Sequence, residues 1–509
     1  MVSPFPGIEP FCSGCNKILI CAKTTGQGNV MSECAISHTP EPVLTRETAI
    51  ESAVSAFDNG SFLEDLKNLV SYPTESQNPE RGPVLRQYLD DAMAPWLRDM
   101  GYSCQIIDNP QAQFGPFLLA QRIEDPALPT VLTYGHGDVV GGQEDRWLEG
   151  LDPWTLIQKG DRLYGRGTAD NKGQHAINMT ALRTIINARG HLGFNSKILI
   201  ETGEETGSLG LAELFQENAD LFKSDVLIAS DGPRVDPARP TLFMGSRGAI
   251  NFELKINLRD GAHHSGNWGG LLRDPGICLS HAIASITDRR GQIRIPEWRP
   301  DQSLTPAVRT ALADIELNAG DDAPDIDLDW GEEALSPSER VWGWNSFAVL
   351  AMTTGIPERP QNAIAPTATA WCQLRFVVGT DPEDIVPALR RHLVSEGFDM
   401  IDVTTEGGVA FNATRLDPDH PWVEWTANSI KATSGKSPAI LPNLGGSLPN
   451  ELFADGLNLP TIWVPHSYAG CSQHAPNEHA LASTTREALA IMAGIFWDLG
   501  AGDTPHRRD

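Results

Sequence analysis

Residues 201–208 read ETGEETGS and set three carboxylates (Glu201, Glu204 and Glu205) within five positions, directly after the apolar run Ile198, Leu199, Ile200. Like charges that close repel one another, so the stretch requires a positive partner, either basic side chains or a metal ion. Three more short motifs carry groups of the same kind: His136 and Asp138 in YGHGDVV, Asp170 in GRGTADNKG, and Asp231 at the end of VLIASDG. A late histidine, His474 in CSQHAPNEH, can join them. Neutral imidazole and carboxylate are the usual ligands of zinc and similar divalent ions outside thiolate sites. Two such ions about 3.5–4 Å apart, bridged by a carboxylate and a water, can share a hydrolytic reaction. His136, Asp170, Glu205, Asp231 and His474 meet that ligand count. Asp138, two residues past His136, is placed to accept a hydrogen bond from the other imidazole nitrogen and fix the ring. Neighbouring residues at a strand end point different ways. Of Glu204 and Glu205, then, one can bind metal while the other handles a proton. Each motif alone has an ordinary reading. His-x-Asp recurs by chance, a Glu pair is usually solvated, and GRGTADNKG serves equally as a turn or as a phosphate loop without its GK[ST] ending. Their joint order on an alternating pattern favours the metal reading.

That pattern consists of strand-like runs at 130–134, 197–202, 225–229 and 460–464, with helical stretches between several of them. Amphipathic helices are expected at 47–71 and 83–100, and another at 171–188 that stops at Gly190. Strands alternating with helices predict an α/β fold with a doubly wound, largely parallel sheet. In such sheets ligands bind beyond the carboxyl ends of the strands, which is where these motifs fall. Residues 248–415 differ in texture. They hold the alternating strand AINFELKINL, the helix-like DPGICLSHAIASI and the strand TATAWCQLRFVV. They read as an inserted α+β unit, dividing the main domain into 46–247 and 416–509. The acidic stretch DDAPDIDLDWGEEALSPSE within it reads as a solvated loop, not a site.

A formal net charge of −27 over 509 residues argues against nucleic-acid binding, which needs a basic face. No apolar run reaches the roughly 18 residues of a membrane span. Four of the eight cysteines, Cys12, Cys15, Cys21 and Cys34, fall in the first 34 residues. CSGC there could be a small zinc or redox site, but the second ligand pair is missing. Residues 1–45 read instead as a poorly ordered leader, an extension ahead of a start near Met31, without a convincing signal peptide. The scattered Cys104, Cys278, Cys372 and Cys471 fit reduced thiols in a cytoplasmic enzyme.

The motif series over roughly residues 50–500 resembles the dinuclear-zinc metallopeptidase family of carnosinase-like dipeptidases, succinyl-diaminopimelate desuccinylase, acetylornithine deacetylase and glutamate carboxypeptidase. LYGRGTADNKG, GSLGL, HSGNWGG and GGSLPN are most similar to the carnosinase-like dipeptidases. The resemblance implies that Asp170 bridges two divalent ions, most readily Zn²⁺, with Mn²⁺ or Co²⁺ as alternatives. His136 and Asp231 would complete one site, Glu205 and His474 the other. Glu204 would be the general base, and the peptide after Asp170 would be cis. Asp231, where deacetylase-like members tend to carry Glu, points toward a dipeptidase.

The inserted region would be a lid and homodimerisation domain. His264 in HHSG and Asn362 in PQNAIAP would be contributed across the dimer, while Arg375 in QLRFVV and Gly446 and Ser447 in GGSLPN would hold the substrate's terminal carboxylate. RDGAHHSG carries one residue more than the usual pattern, so His263 competes with His264. Arg375 could equally be an interface arginine, His264 a packed histidine, and Ser447 a helix cap. HGD replaces a commoner His-Leu-Asp or His-Met-Asp, with little consequence expected. The reaction implied is hydrolysis of an amide bond in a dipeptide or short amino-acid-derived substrate, by water activated at the two ions. The rival readings are an N-acyl amino acid deacylase using the same groups and, more remotely, a non-catalytic binding member, against which every ligand position is filled.

Overall fold

A computed structural model describes residues 45–300, 302–317, 324–405 and 409–505 of the chain; residues 1–44 of the expected leader, with its four cysteines, lie outside them. The principal sheet has eight strands, in the order Ser103–Ile107, Phe117–Arg122, Asn195–Glu201, Thr130–His136, Val226–Ala229, Thr461–Trp463, Thr241–Phe243, Ala439–Leu441. The four strands from Asn195–Glu201 to Thr461–Trp463 run parallel. Antiparallel pairing is confined to the Ser103–Ile107 edge and to the contact of Trp463 with Phe243.

Period-two alternation sends successive side chains into different cores. Val131, Ile198, Ile200, Val226 and Ile228 enter one core, closed by helices Arg46–Asp58, Lys172–Arg189 and Ala482–Leu499. Leu132, Tyr134, Leu199, Leu227 and Trp463 enter the other, against helix Leu211–Glu217 and the rings of Phe243 and Phe453. Because both faces are covered, the strands read as continuous apolar runs, as a doubly wound sheet requires.

Helix Lys172–Arg189 ends where expected, at Gly190, whose φ of 78° closes it in the left-handed conformation. The expected helix at 47–71 is instead two, Arg46–Asp58 and Ser61–Val70, parted by Gly60 at φ 84°. That at 83–100 contains a π turn, Tyr88–Met93, just before Pro95. Proline has no N–H for the helical ladder, and the wider turn takes up the fault.

The second sheet is antiparallel, in the order Ser346–Thr354, Thr367–Phe376, Gly248–Asn257, Ile401–Thr404, with Val409–Phe411 also pairing with Gly248–Asn257. Helices Pro275–Ile286 and Ile385–Ser395 cover one face. The outer strand Ser346–Thr354, absent from the sequence expectations, leaves Val349, Leu350 and Met352 exposed. The chain passes between sheets at one junction, where the Thr414 N–H donates to the Ser246 carbonyl (3.0 Å) and that of Leu416 to Met244 (3.0 Å).

Gly137, between His136 and Asp138, has a consequence that the sequence did not suggest. A Cβ there would lie 2.3 Å from the Tyr88 ring, which is fully buried and hydrogen-bonded through its hydroxyl to His175 (2.7 Å). Tyr88 thus fills the space that a larger residue at position 137 would need. Gly137→Leu is expected to destabilise the fold by about 1–3 kcal/mol through overpacking. In thermal unfolding, its cost combined with Tyr88→Ala should be less than the sum of the two singles. Strictly additive costs would contradict this packing.

Candidate metal centre

The parallel strands deliver their motifs to one edge of the sheet. His136 is the last residue of its strand, and its side chain is buried. Its Nε2 lies 2.9 Å from Asp170 Oδ1 and 3.6 Å from Asp231 Oδ2. Asp170 precedes helix Lys172–Arg189, and the Asp170–Asn171 peptide is cis. On its other side, His474 Nε2 is 3.0 Å from Asp170 Oδ2 and 3.1 Å from Glu205 Oε2.

Two triads result, His136/Asp170/Asp231 and Asp170/Glu205/His474, each with its donor atoms within 4.8 Å of one another. Asp170 belongs to both, one oxygen to each. Asp231 Oδ2 is buried with no hydrogen-bond partner among the described residues. An orphaned buried carboxylate oxygen beside imidazole and carboxylate is a donor set that suits a cation. All five expected ligands are therefore brought together.

Asp138 acts differently from the expectation. Its carboxylate is 3.5 Å from His136 Nδ1, whereas its backbone carbonyl is nearer, at 3.1 Å. The carboxylate instead accepts the N–H groups of Glu204 (3.2 Å) and Glu205 (3.1 Å), so one buried residue orients the imidazole through its carbonyl and the Glu pair through its side chain. Glu204 lines a cavity of about 350 Å³ together with Asp170, Asp231 and His474. The third carboxylate of the opening stretch, Glu201, is buried elsewhere, where it accepts from the hydroxyls of Tyr134 and Ser208.

Crowding shows in the titration of these groups. Burial, then the charge of Asp170, pushes Glu205 up to about 7 and Asp231 up to about 6. Burial drives Glu204 well above the carboxylate range; His136 opposes this, and Glu205, Asp231 and Asp170 add to it. Burial would lower His136, yet its bonds to Asp138 and Asp170 hold it well above the usual histidine range. The bonds to Asp170 and Glu205 raise His474 to about 10.

Sequence reasoning overlooked the brace behind Asp170. Glu478 is buried, pairs with buried Arg166 (2.7 Å), and accepts through Oε1 the N–H groups of Gly167, Ala169 and Asp170 at 3.0, 3.0 and 3.1 Å. Its signal was its place four residues past His474, matched by an arginine four before Asp170. His479 and His175 pack internally, against Tyr468 and Tyr88.

Gly446 and Ser447 are also in the lining of this cavity, and Arg375 Nη1 donates to Ser447 Oγ (3.2 Å). A second guanidinium, Arg247, also overlooked, donates from Nε to the Gly445 carbonyl (2.8 Å). Burial, then Arg375, brings its pKa down to about 10. The remaining two candidates lie apart from this lining. His264 is exposed on the two-residue ribbon with Ala363–Ile364, and the Asn362 carbonyl accepts the Ser265 N–H (2.9 Å).

The profile of the peptidase family M20/M25/M40 matches residues 132–498. The chain is 33% identical to a Beta-Ala-His dipeptidase of Homo sapiens over 468 residues, covering 86% of this chain and 90% of the relative. It is 29% identical to a Cys-Gly metallodipeptidase of Candida albicans, over 86% of this chain and 94% of that one. The crystal structure of human carnosine dipeptidase 1 is similar at a TM-score of 0.72 and 25% identity, covering 91% of this chain and 100% of that one.

Two outcomes follow from the geometry. A divalent cation entering at neutral pH must displace protons held by Glu205 and His474, so its uptake should release protons and its affinity should fall as pH drops from about 8 to 5. Calorimetry in buffers of different ionisation enthalpy measures this, and proton-neutral binding would contradict it. Glu478→Ala should weaken metal affinity about 10–100-fold by freeing the Asp170 turn. Glu478→Gln, which keeps an acceptor for the three N–H groups, should lose less; equal losses in a chelator competition would sink the brace.

Proposed function

The chain belongs to the peptidase family M20/M25/M40, and from that premise we propose that it is a two-metal dipeptidase. Its cations, Zn²⁺ with Mn²⁺ or Co²⁺ as substitutes, would be held by His136 and Asp231 in one site and by Glu205 and His474 in the other, with Asp170 available to both. The observation that carries this reading is one cavity whose lining joins residues of both metal-ligand triads to the Ser447 hydroxyl, itself bonded to the Arg375 guanidinium, a pair that suits a terminal carboxylate. When bound, the cations supply Lewis acidity, lowering the pKa of water and polarising the scissile carbonyl.

The chain's own residues do the rest. Glu204, whose carboxyl group burial disposes to hold a proton, takes one from the attacking water and passes it to the leaving amine. Asp138 keeps Glu204 and Glu205 aimed by gripping their backbone N–H groups. Arg375 and Ser447, beside Gly446, hold the substrate carboxylate; a guanidinium can grip it with two parallel hydrogen bonds. Alignment there sets which amide bond lies against the triads.

Residues 248–415 serve as lid and dimerisation domain in a homodimer, with His264 and Asn362 completing the cavity of the other subunit. His264 is preferred to His263 because the latter ring packs against Trp268 (6.2 Å between centroids) while His264 is exposed. The exposed Val349, Leu350, Met352 and Trp371 along the outer strands support a subunit contact there. A cytoplasmic location fits the free thiols of Cys104, Cys278, Cys372 and Cys471. Among the described residues no helix is long and apolar enough to cross a membrane. The partners are small peptides, not nucleic acid.

The test is hydrolysis of matched dipeptides with free and acetylated amino termini, by chelated protein resupplied with zinc or manganese. Metal-dependent cleavage of the free dipeptides is expected. Cleavage of the acylated compounds alone would make the protein a deacylase. Glu204→Gln should lower kcat about 10²–10⁴-fold while metal content stays at two per chain; a variant with undiminished kcat would remove Glu204 from this role.

A further inference from the structure

A second cavity, of about 460 Å³, adjoins the one that holds the triads. Val341 lines both. Arg247 links the two linings, and Arg375 is tied to each through one serine. Arg247 lines the second cavity, donates from Nε to Gly445 in the lining of the first, and donates from Nη1 to Ser346 Oγ in the lining of the second (3.2 Å). Ser346 is in turn the strand-register partner of Arg375, which bonds Ser447 on the first side. In an amino acid the carboxylate and the side chain leave the same carbon. A carboxylate held at this link, with its amide toward the triads, therefore places its side chain at the mouth of the second cavity.

We propose that the second cavity is the subsite for the side chain of the substrate's carboxyl-terminal residue, and that it selects aromatic side chains. This rests on the dipeptidase reading and names the substrate class within it. Trp330, Trp344, Phe347 and Val341 supply apolar and ring surface to the lining. Arg340 and Glu332 there are already engaged, and Asp327 adds a carboxylate to the lining. Arg340 donates from Nη1 to the carbonyls of Leu328 (2.9 Å) and Trp330 (2.6 Å), and from Nε to those of Glu332 (2.9 Å) and Leu335 (3.0 Å). Glu332 accepts the Ile293 N–H (3.1 Å).

Those bonds do a second thing. They fix the backbone of a stretch that reads in sequence as a solvated loop, and they hold Trp330 at its rim, 59% exposed. The indole lies against Gly291, where a Cβ would come within 2.6 Å of it. A large ring left facing water on a backbone that cannot relax is a preorganised contact surface, because little ordering entropy remains to be lost when a ligand covers it.

The experiment compares kcat/KM of the metal-loaded full chain for Ala-Trp, Ala-Gly and Trp-Ala, in the native protein and in Trp330→Ala. It also measures binding of indole-3-propionate and propionate to both by calorimetry. Ala-Trp should exceed Ala-Gly by about tenfold or more, Trp-Ala should not share the advantage, and Trp330→Ala should bring the ratio toward one. Indole-3-propionate should bind more tightly than propionate, and the variant should lose the difference. Cleavage of all three dipeptides without preference for Ala-Trp, or a preference unchanged in the variant, overturns the subsite while leaving the dipeptidase standing. A Trp330-dependent advantage of indole-3-propionate with no dipeptide cleaved supports the subsite and overturns the dipeptidase.

Discussion

Carboxylates crowded into a poorly solvated crevice repel each other, and the rest of this structure is arranged around that fact. Asp170, Glu204, Glu205 and Asp231 share one cavity lining or its immediate edge, with His136 and His474 among them. In low dielectric such charges cannot all stand unaccompanied; they are answered by protons or by cations. The raised Glu204, Glu205 and Asp231 register that repulsion as a stronger hold on protons. Two cations answer it better, because the imidazoles and carboxylates then become ligands and no proton need be kept.

Holding that arrangement takes a rigid frame, which the parallel sheet supplies. Four strands buried on both faces bring His136, Glu205 and Asp231 to one edge. Buried acceptors then fix the turns that follow, Asp138 for the Glu pair and Glu478 for Asp170. The same logic governs the rest of the cavity lining. There Arg375 arrives from the second sheet and meets Ser447, so the carboxylate recognition proposed for the pair would depend on how the two sheets join.

The five candidate ligands were legible in the sequence because metal chemistry restricts residue types tightly and because parallel strands place their motifs at one edge. The alternation of strands and helices was legible for the same reason, since doubly buried strands leave apolar runs that stand out. Residues that act through hydrogen bonds to backbone were not. Beyond the spacing of Glu478 from His474, nothing in the composition near Glu478 or Arg247 distinguishes a brace from a solvated charge until the fold closes over it. Gly137 escaped for a different reason, since its role is to leave room for Tyr88, a residue about fifty positions away. Trp330 was hidden by its acidic neighbours, and only Arg340's grip on the surrounding carbonyls turns that loop into a wall.

The central claim is that Asp170 joins two cation sites, each completed by one histidine and one further carboxylate. Anomalous diffraction from crystals of the zinc-loaded protein tests this directly. The account predicts two peaks, one within His136, Asp170 and Asp231 and the other within Asp170, Glu205 and His474. A single peak, or peaks outside both triads, would contradict it.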